Sequence, residues 1–169
     1  MIDAAFLPFA LAFFLGIIVK AVDWLDDTKK SKNPLKYLFA IIYGLGIGYL
    51  ISTASFSMLF LAAVVAQVFA KKIDTAAHRL GVLATALGIL SFGFPPFDPA
   101  VFVYFLVFAF LDEADYIGKL RPLTEYRPFL KVAAFAFILL GRWDYFAGII
   151  AFDVGYELFR LLQTNKKRR

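Results

Sequence analysis

Three carboxylates, Asp23, Asp26 and Asp27, close a long apolar run in the stretch VKAVDWLDDTKK. Two more, Asp112 and Asp115, close another in FAFLDEADY. Side chains three or four apart share one face of a helix. Carboxylates so placed repel one another unless a cation lies beside them. Oxygen-rich clusters suit hard divalent ions, and Mg²⁺ in particular binds through one or two carboxylates together with substrate phosphates. Lys30 follows the first cluster, and Lys119 and Arg121 follow the second. Each stands close enough to fold back and pair with phosphate oxygens. The chemistry implied is a Mg²⁺–diphosphate site, with Asp23, Asp26, Asp27, Asp112 and Asp115 on the metal and Lys30, Lys119 and Arg121 on the diphosphate. Two further ionisable pairs recur at i, i+4: Asp74/His78 and Asp153/Glu157.

The elements that position these groups are apolar helices. The 169-residue chain is 62% hydrophobic, with 21 Phe and a mean hydropathy of +0.75. Soluble domains hold about 45–50% apolar residues, and about 20 apolar helical residues cross a bilayer core. Seven helical segments are expected: 4–27, 34–52, 55–78, 80–90, 99–117, 128–140 and 143–162. SFGFPPFDP bounds the fourth, because proline cannot continue a helix. Strands are not expected, since an open sheet edge cannot sit in lipid. The start of the chain has no basic region and no clear small-residue cleavage site, so the first apolar run is expected to stay as a helix.

Charge sets the orientation. All but one of the 18 Lys and Arg fall on alternate connections or at the C-terminal end, and Arg142 is the exception. Basic loops stay cytoplasmic. The expected molecule is an all-α, multi-pass protein of the cell membrane, a single domain over 1–169, with its N-terminus outside and its C-terminus inside. The lipid bilayer is its first partner.

Asp23/Asp26 and Asp112/Asp115 are both Asp-x-x-Asp, and both pairs are offset by 89 residues. A basic, proline-containing loop follows each. The chain therefore divides into two related halves, about 1–90 and 91–169, of four and three helices. This layout resembles the UbiA superfamily of intramembrane prenyltransferases. Asp23 and Asp26, followed by Lys32, Asn33 and Pro34, are similar to the first Asp-rich motif of that family. Asp112 and Asp115, followed by Gly118 and LRPL, are similar to the second. Val22 stands where the family motif has Asn, Lys30 stands where it has a third Asp, and the second motif is one residue short. The resemblance implies Mg²⁺ as cofactor, a polyprenyl diphosphate as substrate, Asp23, Asp26, Asp112 and Asp115 as the catalytic carboxylates, and transfer of the prenyl group to an acceptor.

Other readings of the same residues stand beside this one. Each Asp pair can be a helix cap or an ion-pair partner; Lys20, three residues before Asp23, can neutralise it. Carboxylates in membrane helices also serve small cation- or proton-coupled transporters and channels. The lone His78 can pair with Asp74 at the membrane surface or handle protons. The basic tail suits anionic lipid and not nucleic acid. With no Cys, thiol chemistry is excluded. GLGIG (44–48) and GVLATALG (81–88) put small residues at helical spacing, which predicts close helix–helix packing.

Overall fold

The computed structural model describes residues 4–27 and 33–167. A short 3-10 turn, Ala4–Phe6, leads into α1 (Leu7–Asp27). Then follow α2 (Leu35–Thr53), α3 (Ser57–Phe69), α4 (Ala76–Phe92) and α5 (Pro99–Glu113). The one-and-a-half-turn α6 (Arg121–Tyr126) precedes α7 (Pro128–Ala136), which tightens into a 3-10 turn over Phe137–Leu140. The last described element is α8 (Trp143–Lys167). The described residues are all-helical, with no strand among them.

Local chemistry sets several boundaries. Asp98 caps α5 by accepting from the N–H groups of Ala100 and Val101 at 3.0 and 3.1 Å, with Pro99 at the first helical position, where no N–H is needed. Thr75 caps α4 by accepting from the His78 N–H. Gly93, at φ +99°, and Gly141, at φ +74°, end segments where a Cβ would be strained.

Two expected helices are shorter than the sequence suggests. The segment expected over 55–78 breaks after Phe69: Lys71 turns into the left-handed region at φ 56°, and Thr75 starts a new helix. Asp74 therefore lies before α4 and His78 inside its first turn, so the two do not share a helix face as expected. The segment expected over 99–117 stops at Glu113, because Ala114 is extended. Asp115 lies beyond the helix end, and Asp112 and Asp115 are not on one helical face. Conversely, α8 continues past 162, so Asp153 and Glu157 lie within it, not at its end.

Helix α1 packs on α2 and α8; α2 packs on α3, α3 on α5, α5 on α7 and α7 on α8. These six follow one another around a ring, and α4 lies along α2. Glycine makes the closest seams. A Cβ at Gly44 would come within 2.3 Å of the Gly81 carbonyl oxygen, and one at Gly48 within 2.9 Å of the Gly88 Cα. The two glycine-bearing stretches meet each other, as van der Waals packing of small residues allows. Between α1 and α8 the contact is reciprocal: Gly16 faces the Phe152 carbonyl and Gly155 faces the Phe13 carbonyl. Phe105, Phe137 and Tyr145 form an aromatic core between α5, α7 and α8, with centroids 4.9–5.0 Å apart.

Among the described residues two helices, α1 and α2, are long and apolar enough to cross a membrane. α3, α4 and the segment Pro128–Leu140 are apolar but shorter. At 1.5 Å per residue, the 13 residues of α3 reach about 20 Å, short of a hydrocarbon core of about 30 Å.

Candidate functional site

The ring of helices surrounds a cavity of about 540 Å³. Its depth is apolar, with Ile47, Leu59, Phe60, Ile149 and Phe152 on the wall. Its charged groups gather at one end. They come from the C-terminal end of α1 and α5, the start of α4 and α7, the connections beside α3 and α6, and the middle of α8. Alternation of helix direction brings all of these to the same end.

Asp23 organises the first cluster. Its Oδ1 lies 3.0 Å from His78 Nε2, and its Oδ2 accepts from Tyr156 Oη at 2.7 Å and from Lys20 Nζ at 3.2 Å. Lys20 also donates to Tyr156 Oη at 3.0 Å. An ionised carboxylate only accepts, so the His78 proton facing it sits on Nε2. The other ring nitrogen, Nδ1, lies 2.9 Å from Thr75 Oγ1. Three helices, α1, α4 and α8, are thus joined through one carboxylate. Asp23, His78 and Tyr156 all line the cavity. A carboxylate fixing an imidazole and a phenol side by side is an arrangement suited to holding and moving protons.

The second cluster gathers around the start of α7. Asp112, only 5% exposed, accepts from the N–H groups of Phe129 and Leu130 at 2.9 and 2.8 Å. These are donors with no partner inside α7, and the positive end of the helix favours the carboxylate. Asp112 is therefore a cap supplied by a neighbouring helix. Arg127, at φ 44° just before α7, donates to Glu113 Oε1 at 3.0 Å. Lys131, one turn later, reaches Asp153 at 2.9 Å and the Tyr126 carbonyl at 2.6 Å. Glu113, Arg127, Lys131 and Asp153 all line the cavity, as do Lys72 and Glu157.

The residues expected from the sequence divide. Asp23 and Asp112 reach the cavity. Asp26 does not line it; its carboxylate is buried against Lys36 of α2. Asp27 is exposed at the end of α1. Asp115 is 76% exposed and pairs with Lys72 at 2.7 Å. Arg121 is exposed in α6 and does not line the cavity. Lys30 and the side chain of Lys119 lie outside the described residues. The expectation that Asp23, Asp26, Asp112 and Asp115 face one another across one cavity is thus corrected: a three-residue step along α1 turns Asp26 toward α2, and the early end of α5 leaves Asp115 outside.

The carboxylates that the sequence offers for Mg²⁺ already have protein partners. Both oxygens of Asp23 and both of Asp112 already accept from protein donors, and Asp26 faces an ammonium group. A metal at either carboxylate would compete with those donors for the same oxygens.

Glu113, Arg127, Lys131 and Tyr156, with Gln67 near the end of α3, also line the cavity and are not among the candidates that the sequence offers. One signal was present: Arg127 and Lys131 are four apart at the start of a helix opened by Pro128, so both lie on one side of its first turn. Glu113 and Tyr156 carry no such signal, because their position depends on where α5 stops and how α8 is turned.

At the opposite end of the bundle, Arg142 pairs with Asp144 at 3.0 Å and donates to the Ser55 carbonyl at 2.8 Å. It also lies 4.6 Å from the centre of the Tyr145 ring. This cluster ties α8 to the connection before α3 and has no part in the cavity.

Neither a protein-family model, nor a curated protein, nor a solved structure matches the chain.

Proposed function

We propose that this is a multi-pass membrane protein that binds a lipid-like phosphate or diphosphate, such as an isoprenoid diphosphate. The head would be held at the charged end of the cavity and the tail in its apolar depth. What carries this is the sorting of the cavity walls. Lys72, Arg127 and Lys131 stand at one end, and aliphatic and aromatic side chains fill the remainder. An amphiphile with an anionic head has the same polarity. Lysine and arginine bind phosphate through charge-assisted hydrogen bonds, and each of these three is paired with an Asp or Glu that a phosphate would replace as acceptor.

Seven crossings, with the N-terminus outside and the C-terminus in the cytoplasm, belong to this proposal. The one-sided placement of Lys and Arg supports them. So does the belt of exposed apolar side chains, among them Phe14 at 58%, Leu90 at 80%, Phe94 at 68% and Leu139 at 87%. Leaving one such side chain in water forgoes about 1.5–3 kcal/mol of burial, and lipid removes that cost. The short helices α3 and α5 would cross with the help of the residues that flank them. A single cysteine added at the C-terminus is expected to resist an impermeant thiol reagent in intact cells and to react once they are opened. Labelling in intact cells would reverse the orientation.

The pairing of α1 with α8 and of α5 with α3 is the pattern that two related halves would produce about a two-fold axis, and it supports treating 1–90 and 91–169 as pseudo-repeats. Asp23, holding His78 and Tyr156, is the group best placed to handle a proton if the bound head reacts. Prenyl transfer to an acceptor would proceed at that site, with Mg²⁺ bridging the diphosphate to the protein.

Farnesyl diphosphate added to the full chain in detergent is expected to raise its melting temperature. At a hundred times the dissociation constant the stabilisation is about 2.7 kcal/mol. The titration is run with and without Mg²⁺: a shift that needs Mg²⁺ supports a metal-bridged diphosphate, and one that does not supports direct capture by Lys72, Arg127 and Lys131. No shift in either condition would overturn the lipid-phosphate reading. A shift with Na⁺ or pH in its place would favour a cation- or proton-coupled transporter.

A further inference from the structure

Among the described residues, three buried side-chain oxygens have no protein partner: Asp26 Oδ2, Ser52 Oγ and Glu113 Oε2. Of these residues only Glu113 lines the cavity. Its side chain is 5% exposed, and it sits on the last turn of α5. Arg127 holds Oε1 at 3.0 Å, so the carboxylate is anchored through one oxygen while the other is unpartnered. Removing a carboxylate oxygen from water without supplying a donor is unfavourable. The nearest cations are committed elsewhere or already used: Lys72 is bonded to Asp115 at 2.7 Å, and Arg127 serves Oε1. The Gln67 amide lies beside the same carboxylate but does not bond Oε2, which leaves that oxygen open to a donor within the cavity.

Charge decides what kind of donor. The Glu113 carboxylate already faces the Arg127 guanidinium, so its charge is matched. A ligand ammonium would add a surplus positive charge in a poorly solvated place. A hydroxyl completes the hydrogen bonding and adds no charge. The apolar wall beside Glu113, which includes Val64, Ala109 and Leu130, calls for hydrocarbon next to that hydroxyl. We infer that Glu113 Oε2 is a ligand-binding atom that accepts a hydrogen bond from the hydroxyl of a long-chain alcohol or hydroxyl-bearing lipid. This rests on the lipid-binding reading above and deepens it: the cavity takes a hydroxyl compound at Glu113, beside the cations that take a phosphate.

The test compares two probes that share a tail and differ in one proton: geranylgeraniol and its methyl ether. Each is titrated against the full chain in detergent, with the melting temperature as readout and farnesyl diphosphate run in parallel. The alcohol is expected to reach half its effect at a concentration at least about tenfold lower than the ether, as a hydrogen bond to a charged acceptor implies. Glu113→Leu removes the acceptor and is expected to abolish that preference, leaving both probes at the level of the ether. Glu113→Gln keeps the size and an amide oxygen, and is expected to bring the preference below about threefold; it decides the matter should Glu113→Leu fail to fold. A purely structural role for Glu113 would change both probes alike and leave the preference intact in either variant, which would overturn the inference. Equal effects of alcohol and ether on the wild-type chain would overturn it too. If farnesyl diphosphate stabilises the chain in that case, only the hydroxyl site falls; if none of the three probes does, the lipid-binding reading falls with it.

Discussion

Asp23→Asn is expected to lower the melting temperature more than any other single change among the carboxylates. The substitution keeps the size of the side chain and removes its charge. Lys20, His78 and Tyr156 then face an amide that offers one oxygen where three donors converge. The amide nitrogen, a donor, is forced against a group that also donates. Removing one partner from a largely buried ionic network such as this one, about a fifth exposed, costs about 3 kcal/mol, which for a chain of this length is about 10 °C. Because the network joins α1, α4 and α8, the loss falls on three helices together. Two comparisons make the result specific. Tyr156→Phe removes one donor and is expected to cost about 1 kcal/mol. Asp27→Asn, at an exposed position, is expected to change nothing measurable, since isolated surface charges contribute little. Thermal unfolding of the four proteins in one detergent checks this. An Asp23→Asn chain that melts with the wild type would show that the network does not hold the helices.

The second large effect concerns the anionic head. In the triple variant Lys72→Gln, Arg127→Gln and Lys131→Gln, the three cations that line the cavity are removed, while Asp23, Asp112, Glu113, Asp153 and Glu157 remain. Each charge-assisted hydrogen bond contributes about 1.5 kcal/mol or more. Loss of three is therefore expected to weaken farnesyl diphosphate binding by about three powers of ten. The uncancelled carboxylates would repel the anion further. Binding of geranylgeranyl methyl ether, which carries no charge and makes no hydrogen bond to Glu113, is expected to stay within about threefold of the wild type, because its tail uses the apolar walls of the cavity. That contrast separates loss of the phosphate site from loss of the fold. Unchanged diphosphate binding in the triple variant would move the head group away from this end of the cavity.

Much of the architecture was legible in the residue order. The apolar runs, the proline-rich stretch 91–99 and the one-sided basic residues lead to an all-helical chain whose charged ends lie together. The glycines of 44–48 and 81–88 announce a close seam, and the structure pairs them with each other. These features are local: a helix needs only a suitable run, a cap and a stop, and a close contact needs only residues without bulk. The cap at Thr75 was equally local, with a short polar side chain directly before an apolar helical run. The third expected helix ran through it because the residues on both sides are compatible with a helix.

The composition of the site was decided by packing. Asp23 and Asp26 lie three residues apart, and at about 100° per residue they stand about 60° apart around the helix. Periodicity places them on one face but does not say which neighbour that face meets. With α8 and α4 on one side and α2 on the other, 60° suffices to send Asp23 to His78 and Tyr156 and Asp26 to Lys36. Asp112 and Asp115 share a face only if the helix continues, and it ends at Glu113. Asp112 then caps α7, a role that exists only because α7 begins beside it. Glu113 enters the cavity for the same reason. Sequence by itself determined the all-helical class, most of the helical stretches and which end is charged, because propensity, capping and hydropathy act over a few residues. Which carboxylates face the cavity, and what each one holds, depended on helix rotation and helix ends, and those are settled by contacts between residues far apart in the chain.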